Sequence, residues 1–294
     1  MLVTVLTPAY NRCNELSALY RSLEEQTCKN FEWLIVDDGS TDDTQAFVEK
    51  LKARADFAIK YIYKANGGKH TAVNAGVGQI ETELTFIVDS DDILTPDAIE
   101  TILSYHKKYG LDEKLCGYAF LRQFTDGKVN GKLFEPDEKI GTYIACRINA
   151  DDTMADKAEV FYTRCLREYP FPEFAGEHFL GEDIVWIRMA LKYSMVHINH
   201  AIYVGDFADS GLTKNRRRYN INSPLGCVAR AKEFMRPQLR LRYRIKGAVQ
   251  YVVYGCFAGK TISGLMAETP YRLLTACCIL PGVAIYHKWL KEYC

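Results

Sequence analysis

Three short acidic turns stand next to strongly patterned segments of this chain of 294 residues. They are Asp37-Asp38-Gly39-Ser40, Asp89-Ser90-Asp91-Asp92 and Gly181-Glu182-Asp183. Because carboxylates repel one another, a cluster of them indicates a bound cation or a carboxylate that acts as a base. Together the turns would suit a site that holds a divalent cation with a sugar or phosphate ligand and keeps one carboxylate free.

The turn from Asp89 to Asp92 could simply cap the helix that follows it. The sequence offers another start for that helix, with Thr95 as N-cap, Pro96 at the first helical position and Asp97 in the first turn. The earlier carboxylates are then not needed for capping, and Mg²⁺ or Mn²⁺ favours such oxygen ligands. We interpret this turn as a metal site that bridges two phosphates.

The turn at Asp37 divides into two parts. A hydroxyl of Ser40 or Thr41 can cap the next helix, and the later carboxylates fit the positive first turn of that helix. Asp37 and Asp38 come earlier, where a carboxylate can accept hydrogen bonds from a ribose hydroxyl or a base N–H.

Three further motifs keep a structural alternative. Asp183 precedes an apolar stripe at helical spacing, so its carboxylate could cap that helix, face a cleft as a base, or do both. Gly67-Gly68-Lys69-His70 could bring N–H groups and a cation to a diphosphate at a helix N-terminus, although a lone glycine turn is weak evidence. Thr7 to Arg12 could present backbone groups to a ligand or form an ordinary loop.

The elements that would position these motifs alternate between strand and helix. Strands are predicted at 2–7, 31–37, 59–63 and 84–88, with helices at 14–26, 42–51 and 71–79 between them. This alternation predicts an α/β fold with a mostly parallel sheet and helices on both faces. Ligands bind beyond the carboxyl ends of such strands, where two of the acidic turns fall. Later strands at 115–124, 158–162 and 196–204 and a helix at 184–193 follow.

Composition and residue spacing argue against a secreted disulfide-rich protein, a histidine metal site and a nucleic-acid-binding protein. The chain is 48% hydrophobic with no net charge, which is typical of a soluble enzyme with a full core. Its ten cysteines show no C-x-x-C spacing and its first residues show no signal pattern, so we expect reduced thiols in a cytoplasmic protein. Histidines show no metal-ligand spacing, and no nucleic-acid reading module accompanies the basic segments.

The C-terminal part changes in composition after Pro224, and we predict two or three helices there. Arginines alternate with leucine, tyrosine and isoleucine, and the apolar run at 273–286 is shorter than the roughly 20 residues that span a bilayer. The mixture suits attachment to an anionic membrane face; equally, these helices could pack on the catalytic core or on a second subunit. The basic segment 206–218 could close over a ligand or remain a solvated loop.

Five motifs in order resemble one known family. They are Thr-Val-Leu-Thr-Pro-Ala-Tyr-Asn-Arg from Thr4, Val-Asp-Asp-Gly-Ser-Thr-Asp-Asp-Thr from Val36, Asn-Gly-Gly-Lys-His-Thr-Ala-Val-Asn-Ala-Gly from Asn66, Val-Asp-Ser-Asp-Asp from Val88 and Gly-Glu-Asp from Gly181. The set covers about the first two-thirds of the chain and is similar to family 2 glycosyltransferases of the GT-A fold. The resemblance implies inverting transfer from a nucleoside diphosphate sugar, often a UDP-sugar, with Mn²⁺ or Mg²⁺ at a D-x-D motif.

The resemblance also implies a role for each matching position. The nucleoside pocket would be lined by Pro8, Tyr10 and Asp38, with Lys69 and Asn74 near it. Asp89 would approach the ribose or the metal, Asp91 would bind the metal with Asp92 assisting or replacing it, and Asp183 would be the base.

We therefore expect a Rossmann-like GT-A glycosyltransferase domain at 1–224, with a nucleotide-binding half at 1–100 and an acceptor half at 101–224. A helical extension at 225–294 could touch the inner face of a membrane as a peripheral element, or pack on the core or on a second subunit. The expected enzyme is a hexosyl- or N-acetylhexosaminyltransferase that acts on a hydroxyl of a glycan or lipid-linked acceptor in surface polysaccharide synthesis. The alternative is a non-catalytic nucleotide-sugar-binding or scaffold protein, which would not require Asp183.

Overall fold

The computed structural model describes residues 1–110, 112–152, 155–206 and 212–293, without the side chains of 212–214. The chain divides into two compact units. One consists of Met1–Pro170 with Met189–Asp206, and the other of Phe171–Arg188 with Phe207–Cys294. The functional domain boundary that we predict at residue 224 stays a prediction.

The first unit alternates between strands and helices, as the sequence predicts. Its described strands are β1 Val3–Ala9, β2 Phe31–Asp37, β3 Ala58–Tyr63, β4 Leu84–Ile87, β5 Ile93–Leu94, β6 Leu115–Gln123, β7 Lys139–Gly141, β8 Lys157–Tyr162 and β9 Ser194–Val204. Its described helices are α1 Leu16–Glu24, α2 Thr44–Lys52, α3 Lys69–Gln79, α4 Ala98–Tyr109 and α5 Thr163–Glu168, with a π-helical segment at Ile144–Ile148.

The strands form one mixed sheet in the order β3-β2-β1-β4-β8-β6-β9-β5, with β7 paired to β9. The first four strands pair in parallel, and β8 runs antiparallel between β4 and β6. The predicted mostly parallel α/β sheet with helices on both faces is confirmed. The strand order reverses at β1, because the chain runs outward through β2 and β3 and then returns to β4 on the other side of β1. Such a reversal opens a crevice at the carboxyl ends of the strands.

Helix α1 shows how the apolar pattern produces the fold. Leu16, Leu19, Tyr20 and Leu23 recur at helical spacing, and all four side chains are fully buried. The helix is shorter than the predicted 14–26, and helix ends are the least certain part of a sequence-based prediction.

Helix α2 begins at Thr44, later than predicted. Oδ1 of Asp42 accepts hydrogen bonds from the backbone N of Thr44 at 3.1 Å and from its hydroxyl at 2.5 Å. The predicted cap by Ser40 or Thr41 is wrong, because both residues bond to Asn11 in the loop after β1. The two loops are thereby tied together at the carboxyl edge of the sheet.

The remaining helices belong to the second unit, apart from the last residue of α6. Within the described residues they are α6 Asp183–Met189, α7 Leu212–Asn222, α8 Pro224–Phe234, α9 Leu241–Phe257, α10 Ile262–Glu268, α11 Arg272–Cys277 and α12 Ile279–Tyr293. The prediction of two or three helices after Pro224 is wrong, because breaks such as Gly259, with φ of 70°, and Pro270 divide the segment into five.

The second unit has an apolar core of its own, with Tyr251, Met235 and Leu265 fully buried in it. Part of the basic segment predicted at 206–218 forms α7, and residues 207–211 lie outside the described residues. The cysteines among the described residues are free thiols. No helix in the described ranges has the length and the hydropathy needed to cross a bilayer.

Candidate active site at the carboxyl edge of the sheet

Two loops flank the crevice at the carboxyl ends of β1 and β4, and charged side chains of both signs meet there. Nη2 of Arg12, in the loop after β1, lies 3.8 Å from Oδ2 of Asp91 in the loop after β4. Nζ of Lys69, the first residue of α3, lies 2.5 Å from Oδ1 of Asp89. The structure therefore brings Lys69, Asp89 and Asp91 together, at the point where the strand order reverses.

Asp89 and Asp91 keep access to solvent, with side chains 41% and 37% exposed. Desolvation in the crevice would raise the pKa of Asp89, but Lys69 and two arginines nearby lower that pKa below its ordinary value. The carboxylate is thus held ionised. Ionised carboxylates can bind a divalent cation, and the neighbouring cations can bind phosphate oxygens.

Asp92 differs from Asp89 and Asp91 because it is buried. Its buried carboxylate accepts a hydrogen bond of 3.0 Å from Nη2 of Arg122, and a Cβ on Gly205 would come within 1.6 Å of its Oδ1, so only glycine leaves room there. Burial raises the pKa of Asp92 to about 7 against the influence of Arg122. Among the described residues, no three His, Cys, Asp or Glu side chains are arranged to hold a metal ion.

Helix α4 does not start at the acidic turn after β4, as we predict. The residue at which we predict its start is nevertheless wrong. The helix begins at Ala98 and not at Pro96. The hydroxyl of Thr95 donates to Oδ1 of Asp97 at 2.7 Å, and the carbonyl of Thr95 accepts from the backbone N of Ala98 at 3.1 Å. A short turn therefore separates Thr95 from the helix that it was expected to cap.

Asp38 is engaged inside the protein. Its Oδ1 accepts hydrogen bonds from Nζ of Lys64 at 2.6 Å and from the backbone N of Gly67 at 3.0 Å, and its Oδ2 accepts from the backbone N of Gly68 at 2.6 Å. The residue is only 3% exposed. The N–H groups of Gly67 and Gly68 thus bind Asp38 and are not directed at a diphosphate, whereas Lys69 of the same turn reaches Asp89.

Asp37 is equally internal. Its Oδ1 accepts from the backbone N of Ser40 at 2.7 Å, and its Oδ2 accepts from the hydroxyl of Tyr61 at 2.6 Å. Burial and this hydrogen bond raise the pKa of Tyr61. Asp37 therefore fixes the turn after β2 and binds it to β3.

The other predicted donor-site residues lie in the first unit but differ in exposure. Pro8 is buried in β1, in register with Val36 of β2, whereas Tyr10 lies just beyond the strand and is half exposed. Asn74 is partly buried on α3. The aromatic ring of Tyr10 is thus the one of these three that is most open to a ligand.

Asp183 lies in the second unit as the first residue of α6. Both of its carboxylate oxygens accept hydrogen bonds from Arg230, one from Nε and one from Nη2, and both side chains are largely buried. The spacing of the apolar residues favours Asp183 as the cap of α6. In the described structure its carboxylate binds Arg230 instead. The two-point pair holds the carboxylate in one orientation.

Sequence reasoning missed the cations that hold the acidic residues. Lys64, Arg122 and Arg230 lie 26, 30 and 47 residues from the aspartates that they bind. Arg12 is the last residue of the motif that begins at Thr4, and no role is predicted for it from the sequence. The sequence contains one signal for these cations, which is the mutual repulsion of the clustered carboxylates. It indicates that cations lie nearby but does not identify them.

Comparison with curated proteins identifies relatives of the N-terminal part. Residues 4–134 match the family model described as Glycosyl transferase family 2. A protein of Rickettsia conorii described as an uncharacterized glycosyltransferase is 40% identical over 207 residues, which are 66% of this chain and 31% of the relative. A Nostoc protein with the same description is 35% identical over 103 residues, which are 35% of this chain and 32% of the relative. The matched chain spans about a third of the length of each of these relatives.

Solved structures resemble nearly the whole chain. S. aureus TarS 1–349 in complex with UDP-GlcNAc has a TM-score of 0.66 at 18% identity, over 97% of this chain and 80% of that one. The mannosyltransferase PcManGT of Pyrobaculum calidifontis, in complex with GDP-Man and Mn²⁺, has a TM-score of 0.58 at 16% identity, over 98% of this chain and 87% of that one. At such identities the likeness shows the fold, which is GT-A. The family match therefore places residues 4–134 in glycosyl transferase family 2, and the motifs and the glycosyltransferase relatives agree with this assignment.

Proposed function

We propose that the protein is an inverting glycosyltransferase that moves a sugar from a nucleoside diphosphate sugar to a hydroxyl of a glycan or lipid-linked acceptor in surface polysaccharide synthesis. The observation that carries this proposal is the pairing of Asp89 with Lys69 and of Asp91 with Arg12 at the reversal of strand order. A diphosphate with its cation carries both signs of charge, so a crevice lined by both signs suits it.

The relatives of known structure guide the choice of donor. TarS binds UDP-GlcNAc and UDP, and PcManGT binds GDP-Man with Mn²⁺. On this basis we propose a UDP-sugar as the first donor to test, with a hexosyl or N-acetylhexosaminyl group. A GDP-sugar is the next.

A divalent cation, Mn²⁺ or Mg²⁺, would be held by Asp91 with help from Asp89. Both side chains are solvent-accessible oxygen donors, and these ions commonly use one or two protein carboxylates with water and phosphate completing the shell. When bound, the ion would stabilise the negative charge of the departing diphosphate. Asp92 is left out of this proposal because its carboxylate is buried against Arg122.

The chain's own side chains would bind and orient the donor. Lys69 would move from Asp89 to a phosphate oxygen, and Arg12 would exchange its ion pair with Asp91 for a phosphate oxygen, while Tyr10 contacts the nucleoside. Asp38 would act indirectly, because it holds the Gly67-Gly68 loop that precedes Lys69. Pro8 and Asn74 would shape the edge of the same pocket.

Asp183 would be the catalytic base. In a single displacement the acceptor oxygen attacks the anomeric carbon, the bond to the diphosphate breaks, and the proton of the hydroxyl passes to the carboxylate. Arg230 would orient that carboxylate before the reaction. Because both carboxylate oxygens bind Arg230, binding of the acceptor would have to loosen this pair.

The test is release of the nucleoside diphosphate from a panel of nucleotide sugars, with and without Mn²⁺. We expect metal-dependent release by the wild type, and a loss of about 100-fold or more in Asp91→Ala and Asp183→Asn, since a positioned base contributes about 10²–10⁴-fold. Asp56→Asn, at an exposed surface position, is the matched control and should keep wild-type activity. Release that needs no metal and survives both substitutions would contradict the mechanism.

A non-catalytic nucleotide-sugar-binding or scaffold protein is the second candidate. The observation in its favour is that both oxygens of Asp183 already bind Arg230, which suits a structural pair as well as a base. Such a protein would bind UDP in calorimetry and lose that binding in Asp91→Ala, yet release no diphosphate. Asp183→Asn would then leave binding unchanged.

A further inference from the structure

Large apolar side chains are exposed on the C-terminal helices of the second unit. Leu273 on α11 and Leu280 on α12 are 82% and 83% exposed, and Leu241 and Ile245 on the first turns of α9 are also exposed. Single exposed leucines are common, but a group of them on one surface marks an interaction site.

The packing of α12 on α9 brings these side chains to one end of the helices. Sγ of Cys278, next to the start of α12, lies 4.0 Å from the carbonyl O of Ile245 near the start of α9. Further along, the rings of Tyr254 on α9 and Trp289 on α12 are 6.0 Å apart. The two helices therefore run in the same direction, and their first turns lie side by side. Helix α11 leads directly into this end of α12.

We call this end of the helices the leucine surface. It is defined by four apolar residues and two exposed basic ones, which are Leu241, Ile245, Leu273, Leu280, Lys246 and Arg272.

The charge around the leucine surface is strongly positive. The C-terminal helices, residues 224–293, contain eleven lysines and arginines and three carboxylates, those of Glu233, Glu268 and Glu292. Glu268 is itself paired with Lys260 at 2.7 Å. Because the whole chain has no net charge, the rest of the chain is net acidic and the positive charge is concentrated in these helices.

We propose that the leucine surface docks on an anionic phospholipid bilayer. The four apolar side chains would enter the boundary between headgroups and acyl chains, and Lys246 and Arg272 would lie among the lipid phosphates. A second copy of the chain fits less well, because a two-fold contact would place Lys246 and Arg272 opposite the same cations of the other copy, and like charges repel. Nucleic acid would use the cations but not the exposed leucines.

The test is flotation of the full chain with vesicles of phosphatidylcholine alone and of phosphatidylcholine with about one third phosphatidylglycerol. We expect the protein to float with the anionic vesicles only, and less at high salt. Leu273→Ser with Leu280→Ser should lower the bound fraction about tenfold, since each leucine removes much apolar area from water. Lys246→Gln with Arg272→Gln should have a similar effect, of about tenfold.

Matched controls come from exposed residues of the first unit. Leu133→Ser with Leu191→Ser and Lys107→Gln with Lys128→Gln should float like the wild type. Thermal melting of every variant checks that it folds, and the very exposed positions of Leu273 and Leu280 make unfolding unexpected.

Wild-type protein that fails to float, or flotation that the leucine variant leaves unchanged, would overturn the proposal. So would a dimer, seen by analytical ultracentrifugation, that the leucine variant dissociates while no vesicle binds. No donor sugar is present in this assay, so its outcome is independent of the transferase reaction proposed above.

Discussion

Two acidic turns of the same sheet, one after β2 and one after β4, put similar residues to different uses. Asp37 and Asp38 are almost completely buried, and their oxygens accept hydrogen bonds from backbone N–H groups and from Tyr61 and Lys64. Asp89 and Asp91 remain accessible, and their described partners are the long cationic side chains of Lys69 and Arg12.

The difference lies in the kind of partner. A backbone N–H held in a turn has a fixed position, so the carboxylate that binds it becomes part of the framework. The side chain of a lysine or arginine can change partner by rotating a few bonds, and exposed ion pairs contribute little to stability. The turn after β2 therefore builds the site, and the turn after β4 is available to a ligand. Four predictions test this contrast, in order from the largest to the smallest expected change in free energy.

The largest effect is expected from Asp38→Ala. The substitution leaves Lys64 without its buried partner and two backbone N–H groups unsatisfied, so we expect a loss of about 3–5 kcal/mol in the free energy of unfolding. Urea denaturation measures it, with Asp56→Ala at an exposed position as control. An unchanged unfolding midpoint for Asp38→Ala would show that the turn after β2 is not structural.

A pH scan extends the contrast from carboxylates to histidines. Burial lowers the pKa of His197 from 6.5 to about 4, whereas His178 is exposed. Between these two pH values the unfolded chain binds a proton on this histidine and the folded chain does not. The contribution of His197 to the free energy of unfolding is therefore complete above pH 6.5 and is lost as the pH falls towards 4. The loss from this group is about 3 kcal/mol.

His197→Phe should flatten this part of the pH dependence of the unfolding free energy, and His178→Gln should not. An equally steep profile in His197→Phe would assign the effect to other groups.

The third prediction concerns the exposed turn. Asp91→Asn should lower kcat/KM for the nucleotide sugar about 100-fold, because loss of a preorganised charged group at a transition state typically costs that much, while stability changes by less than about 0.5 kcal/mol. Diphosphate release and thermal melting of the same sample measure both effects. A large drop in melting temperature with little change in activity would reverse the contrast between the two turns.

The smallest effect is expected from Tyr61→Phe. It removes one hydrogen bond to the carboxylate of Asp37 and keeps the ring, so we expect a loss of about 1–2 kcal/mol in stability. Tyr63→Phe, at an exposed neighbouring position, is the control. Equal stability of the two variants would mean that Asp37 does not depend on this bond.

Local patterns allowed most of the fold to be predicted. The apolar stripe of α1 and the short apolar strands depend on periodicity within one segment, which the sequence displays directly. Helix starts were less predictable. At Thr44 and Ala98 the outcome depended on side-chain hydrogen bonds that compete over a few residues, and such competition is not visible in a pattern.

The acidic turns, their order along the chain and their place after strands could all be found in the sequence, because strand ends and turn residues are local signals. What each carboxylate does depends on partners from distant segments. Asp92 meets Arg122, Asp183 meets Arg230, and Asp38 meets the loop at Gly67. These contacts form only when the chain folds, since burial and long-range approach decide which charges are enclosed and which remain open to a ligand.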